Sequence, residues 1–167
     1  MKIFYQTEAM NYELKAGLSR YVKELLSELL ILDTKNIICA YPNEKKNKEE
    51  KIKNLLNNVL NKKIHYGEKY DLAHITAMHY EPIDARKYCA TIHDLIVFSH
   101  PEFFSLKNNF LFKKYIYQTL KLENFICVSR STANQLINKF SISHKKIEII
   151  HEGSSNSFYN QVDYEIL

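Results

Sequence analysis

Glycine is scarce in this chain, with three residues in 167, and proline is equally rare. A loop that cradles phosphate through G-x-G-x-x-G or G-x-x-x-x-G-K needs glycines in close succession so that backbone N–H groups can approach the anion. Gly17, Gly67 and Gly153 are too far apart for either. The signatures of dinucleotide dehydrogenases and P-loop NTPases are therefore missing, as are G-x-S-x-G and H-E-x-x-H, which mark serine hydrolases and zincins. There are seven histidines, but none shares a recognised ligand spacing with Cys, Asp or Glu, and no D-x-D occurs, so no metal site is expected.

Long apolar runs are also lacking. No stretch approaches the roughly 18 residues of a membrane span, and Met1-Lys2 leads into only Ile3, Phe4 and Tyr5 before Gln6, so neither a signal peptide nor a transmembrane helix is expected. Cys39, Cys89 and Cys127 each lie in a short apolar run. They read as buried, reduced thiols that behave as small hydrophobes, which suits a cytoplasmic protein.

What is present is ordinary for a globular domain: 46% hydrophobic and 25% charged residues, enough to close one core without staples. The net charge of +4 equals the excess in the stretch from Glu44 to Lys63, which holds seven lysines against three glutamates. The remainder is balanced, so no nucleic-acid partner is implied.

Short apolar, often β-branched runs recur at Ile3–Tyr5, Ile37–Ala40, Leu72–Ile75, Tyr88–Ile92, Phe125–Val128 and Ile147–Ile150. They do not alternate with polar residues, as expected of strands covered on both faces. Between them run helical stripes: Leu18, Tyr21, Val22, Leu25, Leu26 and Leu29; Ile52, Leu55, Leu56, Val59 and Leu60; a helix from a Ser105 cap through Phe110 and Tyr117; and a short one from about Ser131 to Phe140. Strands alternating with helices need crossover connections. The prediction is a Rossmann-like, doubly wound α/β domain with a mainly parallel sheet of about six strands and helices on both faces. The link Thr76–Lys87 is too short for a helix and reads as a loop.

Ligands of open parallel sheets bind outside the carboxyl ends of the strands. Those ends are followed here by Gln6 and the loop to Gly17, by His79 and Tyr80, by His93-Asp94, by Ser129-Arg130 and by His151-Glu152-Gly153. Two readings are open at each. Gly17 either caps the first helix or lets a phosphate reach its free N–H groups. His93 either hydrogen-bonds a ligand or forms a structural pair with Asp94, which would cap the next turn. Ser129 or Ser131 either lines the crevice or caps the helix.

Thr91-Ile92-His93-Asp94-Leu95, Pro101-Glu102-Phe103-Phe104, Cys127-Val128-Ser129-Arg130-Ser131, Lys146 to Gly153 and Phe158, in this order, resemble the N-terminal domain of retaining GT-B glycosyltransferases of family 4 (glycosyltransferase group 1). Ala16-Gly17-Leu18-Ser19-Arg20-Tyr21 resembles that family's Gly-Gly-Ile-x-Arg-Tyr segment, with Ala16 in place of its first glycine; Ser155-Asn156 stands where Val-Asp is common. The resemblance implies half of a GT-B fold: residues 1–159 as the acceptor-side domain, 160–167 as the start of an interdomain linker, and a donor-binding domain that is absent from these 167 residues and expected beyond Leu167 or in a partner chain.

It further implies transfer of a sugar from a nucleotide-sugar to a glycan or lipid-linked acceptor, with no metal and no cofactor beyond the nucleotide-sugar co-substrate. His93 would be catalytic and Gly17 would approach the donor phosphate. Arg20, His79, Asp94, Ser129, Arg130 and Gly153 would line the acceptor side. The basic segment Lys48–Lys63 would offer a peripheral membrane contact. The alternative is a non-catalytic, Rossmann-like module that binds a glycan or a protein.

Overall fold

The computed structural model describes residues 1–7, 9, 17–32, 36–41, 69–77 and 83–153. The elements are β1 (Lys2–Gln6), α1 (Gly17–Leu32), β2 (Ile37–Tyr41), β3 (Tyr70–Ile75), β4 (Ala85–Ile92), α2 (Ile96–Ser99), α3 (Leu106–Thr119), β5 (Asn124–Cys127), α4 (Arg130–Phe140) and β6 (Ile147–Ile149). Short 3-10 turns occupy Pro101–Phe103 and His144–Lys146. The six strands form one sheet in the order β2-β1-β3-β4-β5-β6, and every neighbouring pair is parallel. This is the expected Rossmann-like α/β class.

Neighbouring residues of β1 point to opposite faces, as strand geometry requires, and each face has its own core. Phe4 joins Tyr70, Ala73, Ile75, Ala90 and Ile92 beneath Val97 of α2, Ile116 of α3 and Ala133 and Leu136 of α4. Tyr5 joins Val22, Leu26 and Leu30 of α1 with Ile38 of β2. The apolar stripe of α1 thus covers one face while the helices after β4 cover the other. The chain winds from β1 outward to β2, then resumes on the other side of β1 with β3. The order reverses between β1 and β3, where an open sheet leaves a crevice outside its carboxyl edge.

Two details depart from the sequence reading. β4 begins at Ala85, so Ala85–Lys87 belong to the strand and not to the preceding loop. Pairing with Tyr70 and Leu72 extends this segment although Arg86 and Lys87 are exposed. β6 is an edge strand of three residues in which Glu148 and Ile149 are exposed, so it is not covered on both faces.

Cys127 is buried, Cys89 only half-buried, and both are free thiols that burial pushes up to about 11. The side chain of Cys39 lies outside the described residues, as do the stripe Ile52–Leu60, the basic segment Lys48–Lys63, His79 and residues 154–167. Among the described residues no helix is long and apolar enough to cross a membrane.

Candidate functional site at the carboxyl edge of the sheet

The crevice is bounded first by backbone. Gln6, at the end of β1 and 2% exposed, turns its side-chain oxygen to accept the N–H groups of Thr76 and Ala77 at 3.1 Å each. Thr76 returns its hydroxyl to the Gln6 carbonyl at 2.6 Å. Parallel strands leave such groups unpaired where the ladder ends. One glutamine thereby satisfies two buried N–H groups at the reversal point between β1 and β3.

His93 directly follows β4, and its main chain and ring are both held. Its carbonyl accepts the hydroxyl of Thr132 at 3.1 Å. The Thr132 proton is thus committed, so the Ser129 hydroxyl donates to Thr132 Oγ1 at 2.9 Å. Ser129 Oγ in turn accepts the Thr132 N–H at 3.1 Å and caps α4. Nε2 of His93 lies 3.1 Å from the carbonyl of Thr76, and Nδ1 lies 2.9 Å from Glu152 Oε1. A carbonyl and a carboxylate can only accept, so each ring nitrogen of His93 faces an acceptor. Tyr21 of α1 meets the ring edge-on, with centroids 4.7 Å apart.

Behind His93 lies a buried polar chain. The Thr91 hydroxyl is 3.1 Å from Tyr21 Oη and 2.8 Å from His74 Nε2. Desolvation, with a smaller contribution from the nearby His93 charge, pushes the His74 imidazole down to about 4, so it is neutral. Burial likewise raises the Tyr21 phenol, which stays protonated. His74 also packs edge-on against Tyr5.

Glu152 reaches His93 because the chain leaving β6 is tied along β5. The Ile150 N–H donates to the Cys127 carbonyl at 3.0 Å, and His151 Nδ1 donates to the Val128 carbonyl at 3.1 Å.

The residues singled out by sequence fall into groups. His93 and Ser129 come together through Thr132. Asp94 is exposed and accepts the Ile96 N–H at 3.0 Å, which fixes the turn into α2. Arg130 does not precede α4 but is its first residue, and it is exposed. Arg20 pairs with Glu24 on the same helix at 2.9 Å. Gly17 opens α1, and none of the described residues comes within 4 Å of where a Cβ would stand. Gly153 is equally open, so among the described residues packing at neither position demands a glycine. Gln6, Tyr21, His74, Thr76, Thr91, Thr132 and Glu152 complete the arrangement. The sequence signals for them were a hydroxyl within each apolar stripe or strand and polar residues at the strand ends.

Chemically, the edge offers an imidazole held between two acceptors, one of them a carboxylate, and a helix that starts on a glycine. The sequence profile of Glycosyltransferase Family 4 matches residues 16–155. The chain belongs to that family. Its match runs from the residue before Gly17 to beyond Glu152, so this glycosyltransferase family 4 domain includes the whole His93 arrangement except Gln6 within the matched region. Comparison with curated proteins and with solved structures gives no match.

Proposed function

We propose that the chain forms the acceptor-binding half of a retaining, metal-independent glycosyltransferase of GT-B architecture, which moves a sugar from a nucleotide-sugar to a glycan or lipid-linked acceptor. A donor-binding domain, in the same or a partner chain, closes the cleft from the other side. The observation that carries this reading is His93, aimed along the carboxyl edge with its backbone and both ring nitrogens held. A residue that must meet a sugar at a defined angle needs such pre-organisation.

In the proposed reaction the bond between the sugar's anomeric carbon and the diphosphate breaks. A new bond to the acceptor oxygen forms on the same face, and the acceptor proton passes to the departing diphosphate. His93 contributes an N–H donor to the sugar. Nδ1 is the nitrogen to offer it, because Nε2 is committed to the Thr76 carbonyl inside the sheet edge, whereas Glu152 is a surface carboxylate that can yield its place to a hydroxyl. Gly17 gives the donor phosphate access to the start of α1, where the positive end of the helix dipole favours an anion. Arg20, Asp94, Ser129, Arg130 and Gly153 frame the acceptor side.

The test is His93→Ala in the transfer-competent assembly. Losing one hydrogen-bonding group used in the transition state should lower turnover by roughly 10²–10³-fold. Near-normal turnover in a folded variant would remove His93 from the reaction.

A further inference from the structure

The outer face of α3 has no function in the site just described, yet it exposes several large apolar side chains. Leu106, Phe110, Lys113, Tyr117 and Lys121 succeed one another at three- and four-residue steps, so they lie on one face. Leu106 is 93% exposed, Phe110 72% and Tyr117 54%, with Phe103 just before the helix at 69%. The opposite face, through Ile116 and Thr119, is the buried one. Leu106, Phe110 and Tyr117 share with the stems of Lys113, Lys114 and Lys121 a groove of about 600 Å³.

We infer that this face docks the protein on an anionic lipid surface. Charge decides between occupants. α3 carries Lys107, Lys113 and Lys114 and no acidic residue, and Lys121 follows one turn later. The nearest acids along the chain, Glu102 and Glu123, flank the helix, and Glu102 is engaged by His100 at 3.1 Å. A second copy of the chain would oppose lysine to lysine.

Aromatic and aliphatic side chains in single file, separated by lysines, instead match an interface in which the rings enter the acyl boundary and the ammonium groups stay among headgroup phosphates. The apolar members are held ready: Tyr117 leans on Phe98 and Phe140, and the ammonium of Lys113 lies 5.6 Å from the Phe98 ring centre. Because α3 follows the carboxyl end of β4, its first turns stand on the same edge of the sheet as His93.

The experiment is co-sedimentation of the 167-residue chain with phosphatidylcholine vesicles, with and without phosphatidylserine, and it reads binding rather than catalysis. The expected result is retention on the acidic vesicles alone, weakened by salt. Each lysine near an anionic surface contributes about fivefold to partitioning, so Lys113→Gln, Lys114→Gln and Lys121→Gln together should weaken retention by on the order of a hundredfold. Phe110→Ser should weaken it with every charge intact. All four side chains lie on the outer face, and unchanged circular dichroism would show the fold preserved. No retention on acidic vesicles overturns the proposal, as does retention that the α3 variants leave unchanged. Dimerisation that these variants disperse, without vesicle binding, would assign the face to a second copy instead.

Discussion

Two histidines, His74 on β3 and His93 just past the end of β4, sit in different surroundings. His93 faces two acceptors near the surface, whereas His74 is buried against Tyr5 and Thr91 and stays neutral. The His74 shift has a consequence for stability. An unfolded imidazole takes up its proton near 6.5, the folded one only near 4. Between those values the unfolded state holds more protons, so stability is full above about pH 6.5 and falls as pH is lowered toward 4. At about 1.4 kcal/mol per unit, the window is worth roughly 3 kcal/mol. Urea unfolding at a series of pH values should show that decline, and His74→Gln should flatten it. An equal slope in the variant would place the origin elsewhere.

At the scale of elements, the reversal between β1 and β3 depends on one side chain. Gln6 supplies the acceptor for two buried N–H groups, and the shape-matched Gln6→Leu leaves both without it. An orphaned buried donor costs about 1–3 kcal/mol, so the variant should lose at least about 2 kcal/mol of unfolding free energy. A loss below 0.5 kcal/mol, on the order of an ordinary surface substitution, would show that the edge closes by other means. The helices are set more locally. Ser105 and Ser129 cap α3 and α4 through the N–H of the residue three further on; the first was legible as a cap in the sequence, and the structure chooses Ser129 over Ser131 for the second. The end of α4 at Phe140 is also where the sequence reading placed it, and in a chain so poor in glycine Ser141 takes the left-handed turn that follows, at φ 56°.

For the whole molecule, the two cores close on both faces of one sheet, but the chemistry at its edge is one-sided. Among the described residues the strand ends offer Arg130 and no cluster of arginines and lysines. A departing diphosphate needs preorganised positive charge. The purified chain, incubated with a panel of nucleotide-sugars and acceptors, should therefore release no nucleoside diphosphate; sustained release would place the active site entirely within it. The sequence by itself determined all six strands, three of the described helices and the α/β class, because apolar runs, helical spacing and serine caps are local properties of the chain. It also marked His93 and Ser129, since a strand end followed by polar residues is visible in one dimension. Only the tertiary structure decided that Glu152 and Thr132 grip His93, that Tyr21 and His74 meet on Thr91, and that the aromatic face of α3 is left uncovered. Each of these depends on which segments the parallel crossovers bring side by side, and no local pattern along the chain carries that information.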